Sequence, residues 1–142
     1  MGFLRSLFSA NDKVADANFL TLATFDATGQ AANIASTLLY AVPANAPGNL
    51  YCVSGIATVT QAATTSSTLP SIVISYTDAD TGNAMSLTLT PTSTGNSLTT
   101  LASSSAAINA KPGTNVNVST TGYASSGTTA MNYSAHVRLE AM

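Results

Sequence analysis

Residues 131–140 alternate between apolar and polar side chains without a break, and this pattern constrains the fold more than any other feature of the chain. The apolar members are Met131, Tyr133, Ala135, Val137 and Leu139. Successive side chains of a β-strand point to opposite faces, so a period of two predicts a strand with one buried and one solvated face. The end of the chain is therefore expected to cover a hydrophobic core.

Seven further β-prone runs precede this segment. They cover residues 19–25, 33–42, 50–61, 71–77, 84–90, 98–109 and 114–120. Turn-forming residues at 26–29, 43–48, 78–83 and 110–113 separate several of them, and residues 62–69 and 121–127 read as loops rich in Ser and Thr. About eight strands without βαβ alternation or an internal repeat predict an all-β, antiparallel β-sandwich. A count of eight favours a jelly roll, whereas seven would favour an immunoglobulin-like sandwich.

The chain divides into two parts by its pattern, an N-terminal arm over residues 1–18 and a β-sandwich domain over residues 19–142. Within the arm, Phe3, Leu4, Leu7 and Phe8 have helical spacing. This spacing predicts a short amphipathic arm that packs on its own domain or on a neighbouring subunit. No run approaches the roughly 18 apolar residues of a membrane span, and the opening apolar stretch is too short for a secretory signal. A soluble, unprocessed chain with no membrane partner is expected.

Charge is scarce in this sequence. Only 7% of the residues are charged, and the formal net charge is −2, whereas a typical soluble domain carries roughly 25% charged residues. The basic surface that binds a phosphate backbone is missing, so nucleic acid is not an expected partner. Low charge suits a chain whose faces are covered by neighbouring subunits. The alternative is a secreted β-domain with a hydroxyl-rich surface.

The sequence offers no catalytic residue, no cofactor site and no metal site. His136 is the single histidine and falls on the polar side of the last strand, and no G-x-S-x-G elbow surrounds any serine. Asp78 and Asp80 form a D-x-D-x-G fragment, but the bidentate Glu of an EF-hand loop does not follow, so a turn is the better interpretation. Cys52 lies in an apolar run and is interpreted as a packing residue. We therefore expect a protein that is not an enzyme.

One aromatic residue stands in an evident loop. Tyr123 lies within residues 121–127, where it is a candidate contact for a binding partner. Packing against its own domain is the competing interpretation.

Several stretches resemble a β-sandwich module found in structural proteins of tailed bacteriophages. They are residues 59–82, 87–96, 108–114, 122–127 and 135–140. The resemblance extends over about residues 31–142 and consists of similar short sequence stretches and similar turn residues. It implies a virion protein, assembled in the host cytoplasm and acting as a symmetric homo-oligomer, a trimer or a dimer.

From this resemblance we expect a capsid decoration, or cement, protein on the capsid surface. Such a protein would bind the outer shell and stabilise it by bridging major capsid proteins. The arm lies outside the resemblance, and its apolar pattern, not the resemblance, makes Phe3, Leu4, Leu7 and Phe8 the expected contact to the shell or to a neighbouring subunit. Two alternatives remain open. One is a host-binding module associated with a tail or neck fibre, which would use loops 64–69 and 121–129, and the other is a secreted adhesin or carbohydrate-binding domain.

Overall fold

The computed structural model describes residues 20–47 and 49–142, and these residues form β-strands joined by turns and loops. There are eleven strands: β1 (Thr21–Gln30), β2 (Thr37–Ala41), β3 (Leu50–Gln61), β4 (Ser66–Leu69), β5 (Ser71–Thr77), β6 (Ala84–Thr88), β7 (Ser93–Thr94), β8 (Leu101–Asn109), β9 (Asn115–Thr121), β10 (Ala124–Ser126) and β11 (Asn132–Ala141). Every strand pair is antiparallel. The described part of the chain is therefore all-β, as the sequence predicts.

The strands make three sheets. Sheet 1 has the order β1-β11-β3-β8, sheet 2 has the order β2-β9-β5-β6, and sheet 3 is a small sheet with the order β10-β4-β7. Across sheets 1 and 2, strands from the two ends of the chain pair progressively inward: β1 pairs with β11, β2 with β9, β3 with β8, and β5 with β6. This nesting of eight strands in two four-stranded sheets is the double Greek key of a jelly roll. The predicted jelly-roll-like β-sandwich is confirmed.

The core lies between sheets 1 and 2, which meet face to face. In β3 the residues Tyr51, Val53, Ala57 and Val59 are buried, and Gly55 lies between them. A Cβ atom placed on Gly55 would be 2.8 Å from Cδ2 of Leu89. The side chains of the opposite layer thus occupy the space that a side chain at position 55 would need. The alternating burial follows directly from the period of two in the sequence.

The first strand differs from its prediction. Residues 26–29 were expected to close it as a turn, but β1 continues to Gln30 and pairs with β11 over this stretch. The register shifts between Ala27 and Gln30, and Gly29 has a φ of 64°. The glycine that predicted a turn is instead accommodated in a β-bulge, which places an extra residue in a continuing strand.

The second strand also differs from its prediction, because it begins later than the run at 33–42 suggested. Residues 33–36 lie outside any strand, although the backbone of Ile34 exchanges hydrogen bonds with Thr120. Strand β8 also begins later than its predicted run at 98–109. It begins at Leu101, because Thr100 donates its N–H to the carbonyl of Ser97 in a turn. In both places β-prone residues before the strand serve in a connection.

Two segments that were predicted as loops contain strands. Residues 62–69 include β4, and residues 121–127 include β10, and these two strands pair with each other in sheet 3. Their Ser and Thr side chains show no apolar alternation, so no periodic pattern predicts strands there. The arm at residues 1–18 falls outside the described residues.

Candidate interaction surfaces

A shallow groove of about 620 Å³ crosses the outer face of sheet 1. Its floor consists of two rows of cross-strand neighbours, one with Asp26, His136, Ile56 and Ser103, the next with Thr24, Arg138, Ser54 and Ser105. These rows run from the edge strand β1 to the opposite edge strand β8. The groove therefore presents an acid–imidazole pair, one arginine, serine and threonine hydroxyls and one apolar side chain on the solvated side of the sheet.

An acid–imidazole pair lies in this groove. Nδ1 of His136 is 2.5 Å from Oδ1 of Asp26, and the two side chains are 45% and 65% exposed. A serine hydrolase would need a serine hydroxyl hydrogen-bonded to the other ring nitrogen. Within residues 20–47 and 49–142, His136 has no such hydrogen bond. The pair on its own fastens β1 to β11 at the surface.

The sequence predicted an exposed His136 beside Arg138 and Glu140, and the structure places it there. Nη1 of Arg138 donates to Oε1 of Glu140 at 3.2 Å along the same strand. The pairing of His136 with Asp26 escaped sequence reasoning, because the two residues are 110 positions apart and Asp26 read as a turn residue. Only the register of β1 on β11 brings them together.

The outer face of sheet 2 is chemically different, because none of its strand residues in the described chain is acidic or basic. It carries hydroxyl and amide side chains with a few apolar ones: Leu38, Val73, Ser75, Ser86, Thr88, Asn117 and Ser119. Leu38 is 53% exposed. Burying hydroxyls and amides against matching polar groups is less costly than burying charges. This face is therefore better suited to burial against another protein than the groove face.

A second polar surface forms around strands β4 and β10 of sheet 3, which lie in segments 64–69 and 121–129. The hydroxyl oxygens of Ser66 and Ser126 are 2.7 Å apart, and those of Thr64 and Thr128 are 3.3 Å apart. Gly127, with a φ of 111°, lies here, and a Cβ on it would be 2.9 Å from the backbone nitrogen of Thr65. Segments 64–69 and 121–129, which the sequence analysis treated as two loops at one end, are thus held side by side.

Tyr123 is engaged within its own domain. Its hydroxyl donates to the carbonyl of Met131 at 2.7 Å, and its backbone N–H donates to Oδ1 of Asn33 at 2.9 Å. The ring lies 5.9 Å, centroid to centroid, from the ring of Tyr133. The side chain is half-buried, so only part of the ring is open to a partner, and the role of Tyr123 as a partner contact stays a prediction.

The aspartates of the hairpin between β5 and β6 form a turn. Oδ2 of Asp78 accepts hydrogen bonds from both the backbone N–H and the hydroxyl of Thr81, each at 2.9 Å. These bonds hold the pKa of Asp78 below its ordinary value. Along residues 20–47 and 49–142 no group of three or more His, Cys, Asp or Glu side chains is arranged to hold a metal ion. Cys52 is half-buried, and its thiol forms no disulfide.

Three exposed apolar side chains lie at the end of sheet 1 where the described chain begins. Leu20, Leu50 and Met142 are 54%, 53% and 74% exposed. The N–H of Ala141 donates to the carbonyl of Leu20, and the N–H of Met142 donates to the carbonyl of Leu50, so Leu20 lies opposite Ala141 and Leu50 lies opposite Met142. The predicted contact residues Phe3, Leu4, Leu7 and Phe8 precede this point in the chain and lie outside the described residues.

Across the described ranges we find no helix with the length and apolar character needed to cross a bilayer. No protein-family model matches the sequence, and no curated protein matches it either. Among solved structures, the chain is similar to part of an endo-1,4-β-D-xylanase 10B from Clostridium thermocellum, whose CBM22-1 and GH10 modules were solved with xylohexaose. The TM-score is 0.45 at 15% identity, over 89% of this chain and 26% of that one.

Proposed function

We propose that the chain is a non-catalytic structural protein of a bacteriophage virion that decorates the capsid and stabilises it by bridging major capsid proteins. The resemblance to phage virion modules motivates this function. The observation that supports it most directly is the uncharged outer face of sheet 2. A protein that occupies many equivalent sites on a shell needs a surface whose burial is not opposed by charge desolvation.

In this proposal the two faces of the sandwich have different tasks. The outer face of sheet 2 docks on the shell, with Leu38 and its hydroxyl and amide neighbours in the contact. The groove face, with Asp26, His136, Arg138 and Glu140, remains in solvent and keeps the particle surface polar. Modest interfaces repeated over many sites add through avidity when one decorating unit spans two capsid proteins.

The first test is the number of copies of this protein per purified particle, measured by mass spectrometry, together with cryo-electron microscopy of the same particles. Decoration requires many copies distributed regularly over the head. Absence of the protein from the particles would refute a virion role altogether.

A pair of matched variants tests which face docks. Ser86 and Thr24 are both exposed on the outer face of an edge strand, the former in sheet 2 and the latter in sheet 1. We expect Ser86→Glu to weaken binding to undecorated shells by about tenfold or more, because an unpaired carboxylate would be buried. Thr24→Glu should bind like the wild type. Equal effects of both variants would contradict the assignment of sheet 2.

A host-binding module of a tail or neck fibre is the second candidate, and the surface around sheet 3 favours it. The segments 64–69 and 121–129 are brought together there, with the hydroxyls of Thr64, Ser66, Ser126 and Thr128 exposed. Few copies per particle, confined to the tail or neck, would favour this function over decoration. Binding of the isolated protein to host cells, abolished by substitutions in both segments, would establish it.

A further inference from the structure

The edge strand β8 is unlike the other free edges of the two large sheets. At the opposite edge of sheet 1, β1 has two register shifts and carries the charged Asp26. In sheet 2, β2 and β6 are five residues long, and β2 has a register shift of its own. In contrast, β8 has nine residues, pairs with β3 without any shift, and contains no proline and no charge. Bulges, charges and short length are the usual means of preventing edge-to-edge pairing, and β8 has none of them.

Between Leu101 and Ala107, the backbone groups on the free side of β8 have no hydrogen-bond partner in the described chain. The carbonyl of Thr100 accepts the N–H of Val59, and the N–H of Ala110 donates to the carbonyl of Asn49. The backbone N–H and C=O groups of the even-numbered residues of β8 therefore point toward β3. The odd-numbered residues between them point outward, because the direction alternates along a strand. Among these, the carbonyl of Asn109 is taken by the N–H of Ala79. The open stretch is therefore Leu101 to Ala107, with all four outward residues exposed.

We propose that this edge pairs with the β8 edge of a second copy of the chain, in antiparallel register about Ser104. In that register Leu101 faces Ala107 of the second copy, and Ser103 faces its Ser105. Every outward N–H and C=O between residues 101 and 107 then meets a partner, and Asn109 keeps its bond to Ala79. Sheet 1 becomes one continuous sheet across a two-fold axis.

The side chains favour a second copy of the chain as the occupant because the edge is complementary to itself. Residues 102–107 are Ala or Ser, so two such edges meet without a steric or charge conflict. The hydroxyls of the two Ser104 residues face each other on the axis, and a Ser–Ser pair across two strands is favourable. Leu101, which is 54% exposed in the single chain, becomes covered by the small Ala107 of the second copy.

Analytical ultracentrifugation of the full chain tests this inference, which does not depend on the proposed function because no particle is involved. We expect a dimer that dissociates on dilution. Ser103→Pro removes an outward N–H without removing any hydrogen bond of the single chain, so it should shift the chain to monomer with an unchanged circular dichroism spectrum. Ser103→Ala retains the N–H and should remain dimeric. A wild-type monomer, a trimer, or a Ser103→Pro variant that still dimerises would overturn the inference.

The register has its own test in a Cys52→Ser background. The Cα atoms of the two Ser104 residues would lie about 4.5 Å apart, within the range that a disulfide spans. Ser104→Cys should therefore give a covalent dimer on oxidation, whereas Ser105→Cys should not. A crosslink through position 105 in place of 104 would overturn this register. A monomeric chain whose Ser103 and Ser105 amides are protected from hydrogen exchange would assign the edge to residues 1–19 of the same chain and would also overturn the inference.

Discussion

The hydroxyl oxygens of Thr120 and Tyr133 lie 2.8 Å apart in the core and join the two large sheets. Tyr133 donates to the carbonyl of Ala32 at 2.9 Å, so it accepts from Thr120, whose oxygen in turn accepts the backbone N–H of Ile34 at 2.7 Å. Burial raises the pKa of Tyr133, and the hydrogen bond from Thr120 opposes that rise. This chain of bonds attaches the connection between β1 and β2 to the sandwich.

Replacing Tyr133 with Phe should lower the free energy of unfolding by about 1–3 kcal/mol, because the carbonyl of Ala32 and the hydroxyl of Thr120 lose their partner in the interior. Urea denaturation followed by circular dichroism measures the change. Tyr76 is the control, since it is half-buried in β5 and its hydroxyl has no hydrogen bond within the described residues. We expect Tyr76→Phe to change stability by less than about 0.5 kcal/mol. Equal effects of the two substitutions would contradict the role of this network.

Gly55 lies in the middle of β3, where side chains of the opposite layer leave no room for a Cβ atom. A Cβ on this residue would lie 2.8 Å from Cδ2 of Leu89 and 3.3 Å from Cδ1 of Ile72, both in buried side chains. Gly55→Ala should therefore destabilise the protein by about 1–3 kcal/mol through overpacking. Ser54→Ala, on the outer face of the same strand, should remain within about 0.5 kcal/mol of the wild type. Thermal unfolding of the two variants side by side would refute the argument if Gly55→Ala proved neutral.

The eight strands of sheets 1 and 2 could be predicted because each has apolar residues on one face, as in 131–140. The positions of strand ends could not, since Gly29 is compatible with either a turn or a bulge and only pairing with β11 decides between them. The strands β4 and β10 escaped prediction because their Ser, Thr and Ala residues show no apolar alternation, and only their pairing with each other, with contacts such as Ser66 with Ser126, makes them strands. The pairing of β1 with β11 also creates the contact between Asp26 and His136, which no local pattern of the sequence indicates.

The turn after β5 should show a specific dependence on pH. The hydrogen bonds from Thr81 hold the pKa of Asp78 below its ordinary value, so the ionised carboxylate stabilises the folded chain above about pH 4, the value for an unfolded Asp. That contribution is lost as the pH falls through the lowered pKa of the folded state. The stability difference between wild type and Asp78→Asn should therefore shrink between pH 6 and pH 3.

Chemical denaturation at a series of pH values measures that difference. Asp80→Asn is the matched control, because the Asp80 carboxylate accepts no hydrogen bond within the described part of the chain, and this variant should retain the acid dependence caused by Asp78. A stability difference for Asp78→Asn that stays constant over the whole series would show that the turn bonds do not favour the ionised form.

The N-terminal arm is predicted to contribute to the proposed attachment of the protein to the shell. Its four large apolar side chains, Phe3, Leu4, Leu7 and Phe8, precede the exposed Leu20 at the start of the described chain. If the arm supplies a contact to the shell or to a neighbouring subunit, deleting residues 1–12 should lower the occupancy on particles while leaving the unfolding transition of the sandwich in place, because the buried core of the described residues is formed between Leu39 and Leu139. Occupancy is measured by mass spectrometry on particles saturated with full-length or shortened protein. Because avidity multiplies small losses at each contact, even a modest contribution per arm should be visible as a reduced number of bound copies. Unchanged occupancy would exclude the arm from attachment and leave the outer face of sheet 2 as the proposed contact.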